Sequence, residues 1–222
     1  MRTVAVIALK GGSGKTTVAT HLALAAELRG VPSLVADIDP QHSARDALGA
    51  REPPGPPCVA LTAAELPSAQ FSAVGSNKKL MIVDTPAGGI EDMGEALAIS
   101  DLAIMVVRPT LMDIAGLART LSIVRRLGKP STVVVNQAPV ARVGVESPLV
   151  IRALRALDYM QASVAPAVLR SRVVYQTALE RGRSAEEMTD AAAAAEVAAL
   201  WDFFVLTVFG DADEESAGED PR

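Results

Sequence analysis

Three observations predict an α/β protein, doubly wound, with a mostly parallel sheet and helices on both faces. Short apolar, β-branched runs alternate with helical stretches along nearly the whole chain. The runs lack the in/out alternation of half-exposed strands, as expected where both faces of a sheet are covered. A glycine-rich turn, GGSGKTT, joins the first run to the first helix. The 222 residues suffice for one large core. A single domain is expected over 1–210, followed by a tail, DADEESAGEDPR (211–222), whose composition is that of disordered chain.

The elements follow in order. VAVIAL (4–9) is the first strand, and the helix over 15–29 stops at Gly30. SLVADI (33–38) is the second strand, followed by a helix over 41–48 and a proline-rich surface connection, REPPGPPC (51–58). LMIVD (80–84), LAIMVV (102–107) and TVVVN (132–136) are further strands, with helices over 90–99, 113–127 and 146–157. ASVAP (162–166) is a shorter edge candidate, and the last helices span 171–182 and 188–209. The apolar stretch 191–210 is interrupted by Glu196 and Asp202 and flanked by acids. A membrane segment would carry Lys or Arg at its ends, so this helix is expected to dock on the body, with no membrane partner.

Composition narrows the function classes. The one cysteine, Cys58, excludes a disulfide framework and any all-cysteine metal or iron–sulfur site within one chain, which suits a reduced, cytoplasmic setting. Arg2 precedes the first apolar run and no small-residue cleavage site follows it, so no secretory signal is expected. The net charge of −5 hides an asymmetry: residues 190–222 hold nine acidic groups against one arginine. Between 142 and 183 there are seven arginines and three acids. Arg152, Arg155, Arg170, Arg172, Arg181 and Arg183 are therefore candidates to meet nucleic-acid phosphate. Aromatic residues make up only 3 % of the chain, which disfavours base stacking on single strands and leaves backbone contact to double-stranded DNA.

The chemistry starts at LKGGSGKTT (9–17). Gly11, Gly12 and Gly14, with Ser13 between, let backbone N–H groups curl around phosphate oxygens at the positive end of the following helix. Lys15 is placed to neutralise β- and γ-phosphates, the Thr16 hydroxyl to hold Mg²⁺, and Thr17 completes the loop. The usual G-x-x-x-x-G-K-[ST] pattern fails, because Leu9 stands where its first glycine belongs. The loop instead reads K-G-G-x-G-K-T-T, which resembles the deviant Walker A ATPases of the ParA/MinD family, a class of P-loop NTPase.

That resemblance covers roughly residues 3–209 and carries specific expectations. Lys10 matches the family lysine that reaches across an ATP-bound homodimer to the phosphates held by the other subunit, much as an arginine finger does. In VADIDPQHSA (35–44), Asp39 matches the carboxylate that orients the attacking water, and Asp37 lies beside the Mg²⁺ shell. In LMIVDTPAGG (80–89), Asp84 matches the Walker B carboxylate that binds Mg²⁺ through water. Asn136 matches an adenine-contacting asparagine, and the stretch from Pro166 to Arg170 would cover the ring. Asp113, in RPTLMDIAG, matches a position near the dimer interface that helps place Lys10. SRVVYQTALERGRSAEE (171–187) follows the family's R-x-x-Y-x-x-A-x-x-x-G-x-S-x-x-E pattern. His21 and His42 stand where Asn and Gly are expected.

Among the branches, cysteine content disfavours nitrogenase iron-protein relatives, and the acidic end disfavours MinD proteins with a basic membrane helix. The first strand starts by residue 3 or 4, so an N-terminal DNA-reading domain of the long ParA type is not expected. The short, ParF-like ParA proteins remain. The resemblance then implies a slow, partner-stimulated ATPase that binds ATP and Mg²⁺, dimerises, and coats nucleoid DNA non-specifically. Its partner would be a ParB-like or small centromere-binding adaptor protein, and its cargo a plasmid, a chromosome locus or a protein assembly. The alternative is a metabolic P-loop enzyme of the dethiobiotin or cobyrinate synthetase type.

Overall fold

The computed structural model describes residues 1–210, and the acidic tail expected at 211–222 lies outside the described residues. Six strands form one parallel sheet: β1 (Arg2–Ile7), β2 (Ser33–Asp37), β3 (Cys58–Ala60), β4 (Leu80–Asp84), β5 (Leu102–Val107) and β6 (Ser131–Val135). Their order is β3-β2-β4-β1-β5-β6, so β1 is central and the chain leaves it in both directions. Strands on both sides of β1 deliver their C-terminal ends to one edge, where ligands of open α/β sheets bind.

Alternate residues of each strand feed two cores. Val4 and Val6 of β1 join a cluster with α1 (Lys15–Leu28), α2 (Ser43–Gly49), α7 (Val173–Leu179) and α8 (Ala191–Phe209). Ala5 and Ile7 join a second with α3 (Leu66–Gly75), α4 (Ile90–Ile99), α5 (Leu111–Arg126) and α6 (Pro148–Tyr159). Both faces are thus covered, which is why the strand runs are continuously apolar. α1 is buried on nearly every side, and its alanines let it lie close to the sheet.

Three elements depart from the sequence expectation. The 162–166 run is not a strand: Val164 makes a single bridge to Val133 and the ladder stops. Pro166, two residues on, has no N–H to extend it. The edge on the opposite side is instead formed by β3, three residues directly after the proline-rich connection, and α3 then crosses back to β4. α8 is long and apolar enough to cross a membrane by length and composition. Its face of Ala193, Val197, Leu200, Trp201, Phe204 and Val208 is buried in the first core, with Arg29 5.5 Å above the Trp201 ring.

Candidate functional site

The loop after β1 builds the site. Gly12 (φ 72°) and Gly14 (φ 91°) adopt left-handed conformations that favour glycine, and Gly14 stands at the N-terminus of α1. No side chain caps that helix and its first turn holds no acid, so its leading N–H groups stay available to an anion. Asn136 braces the loop from β6: its amide nitrogen donates to Ser13 O at 2.8 Å and fills the space a Cβ on Gly14 would need. Gln137, at φ 52°, adds a bond from Nε2 to Gly12 O at 2.9 Å.

Lys15 is buried, and burial pulls its pKa down while Asp84 and Asp39 push it up. The Thr16 hydroxyl donates to Asp84 Oδ2 at 2.7 Å. Asp84 is fully buried, and Oδ1 has no hydrogen-bond partner. Burial first, then the neighbouring Asp37 and Asp39, raise its pKa to about 7, against the Thr16 hydrogen bond and Lys15. Asp37 pairs with Asp84 across the ladder and is also held up by burial, but its oxygens accept the backbone N–H groups of Asp39 and Arg45 at 3.1 Å each. Asp39 lies just past β2, closing a turn in which Oδ1 accepts the Gln41 N–H at 2.9 Å.

A divalent cation fits here. Asp84 is a buried carboxyl with one oxygen left without a partner, beside a hydroxyl, the donor set of a hard, oxygen-seeking ion. Among the described residues no three His, Cys, Asp or Glu side chains cluster closely enough to hold a metal by themselves. Mg²⁺ would therefore rest on Thr16, on Asp84 and on phosphate oxygens from a nucleotide.

Lys10 lies folded back on its own subunit. Nζ donates to Met112 O at 2.6 Å and sits 3.2 Å from Asp113 Oδ1, at the N-terminus of α5. Arg108 holds the same carboxylate, from Nε to Oδ2 at 2.6 Å. Burial works against the Asp113 charge, yet hydrogen bonds from Arg108, Thr110 and Lys10 outweigh it and keep the pKa below the usual range. Pro166 is exposed beside the end of β6, in a segment where Leu169 N donates to Val135 O at 2.9 Å.

The six candidate DNA-contacting arginines do not come together. Arg170 makes a two-pronged pair with Glu146 at 2.8 and 2.7 Å, and Arg172 binds Glu196 at 2.8 Å and faces Asp190 at 3.8 Å. Both guanidiniums are thus engaged internally by acids 24 residues away, a pairing sequence distance conceals. Arg152 and Arg155 are exposed on α6, and Arg181 and Arg183 follow α7 on the opposite face of the sheet. The R-x-x-Y-x-x-A-x-x-x-G-x-S-x-x-E stretch has a structural use. The Tyr175 hydroxyl donates to Glu196 at 2.7 Å, and Ser184 and Glu187 cap one another. Arg51 closes on Gly182 O at 3.0 Å and Glu187 at 2.8 Å, and the Arg51 backbone occupies the space a Cβ on Gly182 would need.

Sequence reasoning missed Arg51, Arg108 and Gln137. The one signal was position: Arg108 and Gln137 directly follow β5 and Asn136 at the ligand edge.

Three relatives of known structure share this architecture. An McdA–ATP complex from Cyanothece superposes with a TM-score of 0.77 at 18 % identity, covering 92 % of this chain and 96 % of that one. The cell-division ATPase MinD of Pyrococcus furiosus gives 0.73 at 19 %, covering 91 % and 98 %. A putative plasmid partition protein of Borrelia burgdorferi bound to AMPPNP gives 0.69 at 14 %, covering 93 % and 99 %. No curated protein sequence matches the chain. The model of the CobQ/CobB/MinD/ParA nucleotide-binding domain matches residues 4–218. With its K-G-G-x-G-K loop at the end of β1 and Asp84 at the end of β4, the chain belongs to that CobQ/CobB/MinD/ParA family of nucleotide-binding domains.

Proposed function

We propose that residues 1–210 form a positioning ATPase that closes into a homodimer on ATP and Mg²⁺, with Lys10 delivered in trans. The observation that carries this reading is the pair of lysines. Lys15 is buried beside Asp84 inside the loop, whereas Lys10 is half-exposed at its rim, 3.2 Å from a carboxylate of its own subunit. A cation held at the rim, outside the loop, is placed to be presented to the phosphates of a second subunit, as an arginine finger is. Gly11, Gly12, Ser13, Gly14, Lys15, Thr16 and Thr17 cradle the phosphates, Thr16 and Asp84 hold Mg²⁺ with Asp37 behind them, and Asp39 orients water. Asn136 and the Pro166 stretch border the adenine.

In this reading the dimer binds double-stranded DNA non-specifically through Arg152, Arg155, Arg181 and Arg183, the candidates that form no salt bridge among the described residues. A ParB-like or small adaptor protein stimulates hydrolysis and releases it from the nucleoid. Binding to a random duplex, measured with ATP, ADP or no nucleotide across a salt series, tests the reading. Binding that needs ATP, weakens steeply with salt and vanishes in Lys10→Ala supports it. Tight ATP binding with negligible DNA affinity in every state sinks the DNA part. The family description names CobQ and CobB beside MinD and ParA, which keeps a metabolic enzyme as the second reading. ATPase activity raised by a small carboxylate and indifferent to DNA would favour it.

A further inference from the structure

Asp113 serves two cations at once. Its side chain is only 5 % exposed, and its backbone N–H is tied to Thr110 Oγ1 at 3.2 Å at the start of α5. Oδ2 takes Arg108 Nε at 2.6 Å, while Oδ1 takes Lys10 Nζ at 3.2 Å and a longer approach from Arg108 Nη2 at 3.4 Å. Of the two cations, Lys10 is the looser. Its side chain is 42 % exposed, its distance to the carboxylate is longer, and its bond to Met112 O can be replaced by water. Its stem crosses Gly116, where a Cβ would come within 3.3 Å of Lys10 Cε, so the absence of a side chain there gives the stem room along α5.

If Lys10 were the sole partner, its departure would strand a buried charge, one of the more destabilising events a protein interior can undergo. Arg108 removes that penalty. We propose that Arg108 is a positioning residue for Lys10: by keeping Asp113 paired, it lets the lysine leave for the partner's nucleotide and so sets how readily ATP closes the dimer. This rests on the trans-lysine reading above. Arg108 acts through Asp113 and not as a nucleotide ligand, although Nη1 lies 3.9 Å from where a Cβ on Gly12 would be.

The test is dimer affinity by sedimentation velocity with Mg²⁺ and a non-hydrolysable ATP analogue, for Arg108→Gln, Asp113→Asn and the double variant. Losing the charged bond should weaken the dimer of Arg108→Gln about tenfold or more. The double variant should fall within about threefold of Asp113→Asn alone, because without the carboxylate Arg108 has nothing to hold. Arg108→Lys, which keeps the charge, should recover part of the loss, and it carries the comparison if Arg108→Gln does not fold. Nucleotide affinity of the monomer, read with a fluorescent ATP analogue, should be unchanged in Arg108→Gln. The proposal is overturned by an Arg108→Gln dimer as tight as wild type, by a loss that persists without Asp113, or by weakened nucleotide binding in the monomer. Lys10→Ala separates the two readings. If it still dimerises on ATP, the trans-lysine reading falls; if it stays monomeric while Arg108→Gln is indifferent, only the role of Arg108 falls.

Discussion

His21 offers a measurable pH dependence. It is fully buried in α1, its Nδ1 lies 2.9 Å from Thr17 O, and Nε2 has no partner. The Tyr175 ring stands edge-on with centroids 5.2 Å apart. Burial lowers its pKa from 6.5 to about 4, with the Thr17 carbonyl opposing weakly. Between those values the unfolded chain binds a proton that the folded one refuses, so stability is present above pH 6.5 and is lost as pH falls toward 4. At about 1.4 kcal/mol per unit, the loss attributable to this ring reaches about 3 kcal/mol. Carboxylates titrate toward the acid end of the same range, so the quantity to read is the difference between wild type and His21→Leu. Leu keeps most of the volume and removes the orphaned nitrogen, and the Thr17 carbonyl retains its helical bond. Urea unfolding should place the two within about 1 kcal/mol at pH 7.5. The difference should then move by about 3 kcal/mol in favour of His21→Leu by pH 4. Parallel curves would refute the reasoning and mean that the imidazolium finds a partner inside the fold.

Three further outcomes follow from the site and its margins. Asp84 is a carboxyl held up at about 7, so its ionisation opposes folding as pH rises from 3.8, by at most about 4 kcal/mol. Asp84→Asn should therefore raise the melting temperature of the nucleotide-free protein at pH 8 and abolish the extra stabilisation that Mg²⁺ gives with ADP, both read by thermal denaturation. Gly14→Ala would drive a methyl into the Asn136 amide at φ 91°, and should abolish binding of a fluorescent ATP analogue while leaving the far-ultraviolet dichroism of the fold in place. His42 sits at φ 50° at the start of α2, so His42→Gly should leave stability unchanged or raise it by up to about 1 kcal/mol in urea unfolding.

The last case shows what the sequence made legible. The resemblance placed a glycine at 42, and the backbone there has the conformation glycine favours, so the expectation identified a geometric requirement that His42 meets under strain. Five strands of the sheet were readable because burial on both faces leaves continuous apolar runs. β3 was not, since three residues carry no period, and α3 (LPSAQFSAVG) mixes small polar residues with an exposed Phe71. The phosphate loop was readable because glycine and lysine spacing is local chemistry. The arginine run was not, because whether a guanidinium is free depends on Glu146 and Glu196, brought to Arg170 and Arg172 only by folding.

Asp37 and Asp84 stand opposite one another in neighbouring strands, placed by the β2–β4 ladder and not by loops. A single residue gained or lost inside either strand would shift its carboxylate by about 3.3 Å and turn it to the other face. The register comes from the β2–β4 pairing itself, residue against residue from Ser33–Leu80 to Asp37–Asp84. The alignment of the two carboxylates is thus a property of the sheet and not of its loops, and solved structures at 14 and 19 % identity superpose over more than nine-tenths of the chain.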